Sequence, residues 1–129
     1  MRALLVAAAI CGFSAVLFGA LGAHFLSGHM TEKGPELFKT ANLFHLFHSL
    51  ALFGCALLYP WAEKSQKALL CLKLSAAALI AGILSFSGTL YYVAISPAGS
   101  FHYLIPLGGL FFMTGWLMLA VGAFMLKPR

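Results

Sequence analysis

The chain contains no Asp and only three Glu, and 9 % of its 129 residues are charged. Water-soluble domains carry about 25 % charged residues, so a soluble enzyme is excluded first. The three carboxylates, Glu32, Glu36 and Glu63, fall in polar connections, and none lies inside an apolar run. Paired-carboxylate catalysis, an Asp-held magnesium site and a buried carboxylate proton relay are excluded with them. The three cysteines, Cys11, Cys55 and Cys71, give no disulfide framework and read as small buried hydrophobes. There is no Gly-rich phosphate loop, no nucleophile elbow and no metalloprotease pair.

What fills the chain instead is apolar, at 62 % hydrophobic. Stretches free of Asp, Glu, Lys and Arg run from Ala3 to Thr31, Thr40 to Ala62 and Leu74 to Leu126. Each can cross a bilayer, which takes about 20 residues. The last would make a helix of roughly 80 Å, far more than a hydrocarbon core of about 30 Å, so it must turn back. Ser96-Pro97-Ala98-Gly99-Ser100 is the place for that turn, since Pro97 removes a donor and restricts the residue before it. The expectation is an all-α integral membrane four-helix bundle, a single domain over 1–129, with spans near 4–26, 36–59, 66–95 and 104–126. Pro35 and Glu36 suit the first turn of the second helix, and Ser65 can cap the third. A cleaved signal peptide ending among Gly19-Ala20-Leu21-Gly22-Ala23 is the rival for the N-terminal run, which is long for that role.

Arg2, Lys64, Lys67, Lys73, Lys127 and Arg129 fall on one side of this topology, and only Lys33 and Lys39 on the other. Positive residues stay cytoplasmic, so both termini are expected inside, in the inner (plasma) membrane. Tyr59 and Trp61 then mark the inner interface, and Tyr91, Tyr92 and Tyr103 the outer one. The net charge of +5 is split among separate segments without interleaved aromatics, which fits anionic lipid and excludes nucleic acid as a partner.

Small residues form seams along three helices: Cys11, Ala15, Gly19 and Ala23; Ser75, Ala78, Gly82, Ser85 and Thr89; and Gly108, Gly115 and Gly122. In lipid such seams let backbones approach closely. Trp116, near mid-bilayer, is expected to turn its indole toward the bundle or a subunit interface.

Five histidines stand out: His24, His29, His45, His48 and His102. Ala41, His45, His48 and Leu52 follow one seam of the second helix, so both imidazoles are expected on roughly one side, flanked by Asn42 and Ser49. Thr89 and Gly108 fall at similar depth, and a polar cluster in the outer half is expected. One reading is a haem, metal or proton site using His24, His45 and His48. The leading one has neutral histidines hydrogen-bonding across helices and fixing the packing. A lipid or quinone contact is the third. The cysteines lie toward the inner side, which argues against a mixed Cys/His metal site.

Gly19-Ala20-Leu21-Gly22-Ala23-His24, Thr40-Ala41, Phe44 to Leu52, Phe86-Ser87-Gly88-Thr89-Leu90-Tyr91, Pro106-Leu107-Gly108-Gly109 and Gly115-Trp116 stand in order along nearly the whole chain. Together they resemble the family called domain of unknown function 423, small membrane proteins that include bacterial inner-membrane members and transmembrane-protein-256-like relatives. The resemblance implies four spans and no established activity, and its motifs map onto His24, His48, Ser87, Gly88, Tyr91, Pro106, Gly108, Gly109 and Trp116. Ile105 stands where the pattern often has Thr, and Thr89 where it often has Ser. His45 occupies a position that is not always His, so a double-His site does not define the pattern.

The leading expectation is a non-enzymatic membrane protein that packs with itself, a partner membrane protein or a small ligand. Its candidate polar cluster is His24, His45, His48, Ser87, Thr89, Tyr91 and Trp116, and no cofactor is expected. A haem- or metal-binding redox or ion-handling protein using His24, His45 and His48 is the alternative. Small four-span exporters match in size but need a carboxylate in the membrane, which this chain lacks.

Overall fold

A computed structural model describes residues 1–96 and 101–126. The helices are α1 (Arg2–His24), α2 (Gly34–Ala62), α3 (Gln66–Gly82), α4 (Gly88–Ile95) and α5 (Leu104–Phe124), with a π-helical turn, Ile83–Ser87, joining α3 to α4. No strand occurs among the described residues. The third span runs on from Gln66 to Ile95 through the π turn, so four helices are long and apolar enough to cross a membrane. Their bounds agree with expectation to within about one turn. The expected turn at Pro97–Ser100 lies outside the described residues, as do Lys127–Arg129.

Local chemistry accounts for the ends. Ser65 is extended, and its Oγ accepts the Ala68 N–H at 3.4 Å, so the expected cap is present. Pro35 sits in the first turn of α2, where its missing N–H has no partner to lose. Pro60 is carried inside the last turn of α2, which therefore runs past the expected end. Between α1 and α2, Thr31 gives both its N–H and its hydroxyl to the Ala94 carbonyl, at 2.9 and 3.3 Å. That contact ties the connection to the end of α4, and a side chain at Gly34 would strike the same carbonyl.

The helices pack in a row: α1 lies along α2, α2 against the third span, and α5 along α3 and the π turn, while α2 and α5 meet only slightly. The α5 seam is as expected, with Gly108, Gly115 and Gly122 all buried. Gly115 receives Leu79, Gly122 lies on Cys71, and Gly108 lies on the backbone of Phe86. The Ser75 hydroxyl donates to the Gly115 carbonyl at 2.7 Å, a polar contact between two closely approaching helices.

The α1 seam is rotated from expectation. Ala8, Ala15 and Gly22 are buried, Ala23 is exposed, and nothing approaches Gly12. Phe38 causes the shift, because its ring fills the space over Gly22. In the third span, Ser75, Gly82 and Thr89 are buried, but Ala78 and Ser85 are only half-buried. The π turn inserts extra backbone there, so no single helical stripe runs through both halves. Outward-facing residues are apolar, Phe13 and Leu84 each 70 % exposed, as a lipid-facing surface requires.

Candidate functional site

Steps of three along α2 rotate the side chain by about 60°, and this separates two groups that the sequence places together. Asn42 and His45 face α1 and α4, whereas His48 faces α5.

In the first group the proton directions follow from geometry. Ser14 Oγ donates to the Cys11 carbonyl at 3.0 Å, and a carbonyl only accepts. Ser14 has no second proton, so at 3.3 Å it accepts from His45 Nε2. Nδ1 of an uncharged His45 is then an acceptor and takes the Tyr91 hydroxyl proton, also at 3.3 Å. Asn42 Nδ2 donates to the Tyr91 oxygen at 3.1 Å and to the Ala15 carbonyl at 2.6 Å. The resulting chain runs Asn42 to Tyr91 to His45 to Ser14 to Cys11 and links α1, α2 and α4. Phe18 stacks on Tyr91 at 4.8 Å between ring centroids, and Phe38 tilts over it at 4.7 Å. Every histidine nitrogen in this group has a partner. A hollow of about 270 Å³ lies beside it, lined by Gly19, Gly22, Phe38, Lys39 and Asn42 among others.

His48 has different surroundings. Its Nδ1 lies 2.7 Å from the Phe44 carbonyl of the preceding turn, so Nδ1 carries the proton. The ring lies flat on Phe112, with centroids 3.5 Å apart and planes 12° from parallel, and Trp116 stands edge-on at 6.3 Å. In the uncharged ring Nε2 is a bare acceptor, and no described residue donates to it. The side chain is 7 % exposed and borders a furrow between α2 and α5. One part, about 530 Å³, is lined by Phe44, His48, Gly109, Phe112, Met113 and Trp116. The adjoining part, about 300 Å³, adds Leu43 and Phe47. The slight contact between α2 and α5 leaves this furrow open to the bilayer.

The seven expected cluster residues therefore do not form one cluster. His45 and Tyr91 meet, and His48 and Trp116 meet, but the two pairs look to different sides of α2. His24 is exposed at the end of α1, away from both. Ser87 is fully buried with its Oγ unpartnered, and neither Ser87 nor Thr89 hydrogen-bonds to a histidine. Of the two directions expected for Trp116, the bundle or a subunit interface, the bundle does not enclose it: Trp116 is 50 % exposed at the furrow. The Tyr91 hydroxyl turns inward to Asn42 and His45. The shared donor set of His24, His45 and His48 is not assembled: among the described residues no three His, Cys, Asp or Glu could hold a metal ion together. Ser14 and Phe112 went unnoticed in the sequence. Ser14 had a signal, as the lone hydroxyl of α1.

The family described as "Protein of unknown function (DUF423)" matches residues 18–109. The chain is 35 % identical over 128 residues to the UPF0382 inner membrane protein YgdD of Escherichia coli strain K12, covering 99 % of this chain and 94 % of that protein. It is 32 % identical to the UPF0382 membrane protein YwdK of Bacillus subtilis strain 168, covering 95 % and 97 % respectively. A UPF0382 membrane protein of Haemophilus influenzae is 34 % identical over 92 % of this chain and 91 % of its own length. No solved structure matches the chain.

Proposed function

The chain belongs to the DUF423 family of membrane proteins of unknown function, and from that premise we propose that it is a non-enzymatic protein that binds a ligand or partner within the bilayer. Two observations support the reading. The Asn42–Tyr91–His45–Ser14 chain pairs both ring nitrogens of His45 and serves to fix three helices. His48, by contrast, holds an open acceptor against a membrane-facing furrow, and this single observation carries the proposal. An unpaired polar group in hydrocarbon is costly, so a donor brought to Nε2 from outside the chain is stabilising.

The proposed location is the inner (plasma) membrane with both termini cytoplasmic. The printed name of the Escherichia coli relative supports the first part. The excess of Lys and Arg beside the termini and the α2–α3 turn supports the second.

Native mass spectrometry of the protein, released gently from its own membrane, tests the binding role. The expected spectrum shows a stoichiometric added mass, a second copy or a partner chain, reduced in the His48→Phe variant. A bare single chain throughout would overturn the proposal.

A further inference from the structure

We propose that the furrow between α2 and α5 binds a neutral lipid whose flat ring carries a hydroxyl, of the hydroquinone type, with that hydroxyl donating to His48 Nε2. This rests on the binding role above and names the ligand class. Four observations converge on it.

The first is proton direction. The Phe44 carbonyl holds the proton of His48 on Nδ1, so Nε2 recognises a donor and not a carbonyl oxygen. A quinol ring offers that hydrogen, and the corresponding quinone does not. The second is shape. Phe44, Phe47, Phe112 and Trp116 wall the furrow, and a flat ring packs on aromatic faces or edges at centroid separations of about 4.5–7 Å.

The third is depth. His48 lies midway along α2 and Trp116 midway along α5, so the furrow is centred far from either end of the spans. A charged headgroup is strongly disfavoured there, which leaves lipids with a small uncharged head. The fourth is access. Gly109 has open space where a side chain would stand, and the furrow opens sideways to lipid, so a long apolar tail can remain in the bilayer.

The test uses the full chain in nanodiscs with Trp61→Phe, so that Trp116 is the sole indole. A short-tailed quinol is titrated without oxygen, and its dimethyl ether and its quinone are titrated in parallel. Saturable quenching of Trp116 is expected with the quinol, and binding about tenfold weaker with the ether and the quinone, which lack the donor. His48→Phe should weaken quinol binding to the level of the ether. Because His48→Phe disturbs a buried ring, Gly109→Leu supplies a second variant, which fills the furrow from open space. It should abolish saturable quenching while leaving thermal unfolding unchanged. Equal saturation by quinol and ether, quenching that rises linearly with ligand in the membrane, or undiminished binding in folded Gly109→Leu would each overturn the inference. If it fails while native mass spectrometry still retains another mass or a second copy dependent on His48, only the ligand class falls. A bare single chain in the spectrum removes the binding role as well.

Discussion

The hydroxyl of Tyr91 stands 3.3 Å from Nδ1 of His45 and makes the only side-chain hydrogen bond among the described residues that joins a histidine of α2 to α4. Removing the hydroxyl in Tyr91→Phe strands the acceptor and also the Asn42 donor. Hydrogen bonds between membrane helices average about 0.6 kcal/mol and reach about 1.7, so a loss in that range is expected in reversible detergent unfolding. His45→Phe should cost more, because it removes the bond to Ser14 as well as the one to Tyr91. A double-mutant cycle should show positive coupling between the two positions, and strict additivity would mean that the bond is not made in the membrane.

Two glycines on one helix are expected to behave oppositely. A Cβ at Gly22 would lie 2.7 Å from Phe38 Cδ1, so Gly22→Ala must displace the ring that covers Tyr91. Overpacking of this kind costs about 1–3 kcal/mol. Nothing lies within 4 Å of a Cβ at Gly12, so Gly12→Ala should be neutral or raise stability through helix propensity, by up to about 1 kcal/mol. Thermal unfolding of the pair separates the outcomes, and equal effects would show that α1 lies on α2 with a different face. Gly108→Ala should be the most damaging of the three, because its neighbour is the Phe86 backbone and not a movable side chain.

Ser75 and Ser87 are both fully buried, yet their hydroxyls stand in opposite situations. Ser75 donates to the Gly115 carbonyl at 2.7 Å, whereas Ser87 Oγ has no partner. Ser75→Ala should therefore destabilise by about 1 kcal/mol, and Ser87→Ala should be neutral or stabilising, since it removes a buried group that is not satisfied. Denaturant midpoints in matched detergent provide the measurement. A clear loss on Ser87→Ala would reveal that a water or ligand reaches the π turn.

Much of the fold was legible because hydropathy and length dominate a chain that spans a membrane. The four spans, the Ser65 cap and the Gly108–Gly115–Gly122 seam all follow from residue type at fixed spacing. The π turn at Ile83–Ser87 was not legible, since one extra residue in a helical turn leaves no compositional mark. It breaks the stripe drawn from Ser75 to Thr89. The candidate site was half legible. Asn42, His45, His48, Tyr91 and Trp116 stand out in the sequence, but a shared seam along one helix does not make a shared cluster. A 60° step between His45 and His48 was enough to send them to different neighbours, because the third span lies between α1 and α5. That arrangement depends on which helices touch, which spacing along one helix does not encode.

The proposed orientation rests on the distribution of positive charge, and it can be read directly by labelling. Arg2, Lys64, Lys67 and Lys73 lie at one end of the spans, while Lys33 and Lys39 lie at the other. In the proposed orientation the end with more Lys and Arg is the cytoplasmic one, as the positive-inside rule expects. Gly28 stands in the α1–α2 connection with open space around it, so Gly28→Cys is a tolerated probe. Glu63→Cys, exposed beside the α2–α3 turn, is its counterpart at the opposite end. In a background with Cys11, Cys55 and Cys71 replaced by Ala or Ser, a membrane-impermeant maleimide should label Gly28→Cys in intact cells. Glu63→Cys should react only after the membrane is opened. The reverse pattern would place both termini outside, and equal labelling of both sites in intact cells would mean a mixed insertion. In either case the proposed cytoplasmic termini would be withdrawn, while the His48 furrow would keep its depth, because it lies midway along α2 and α5 from either side.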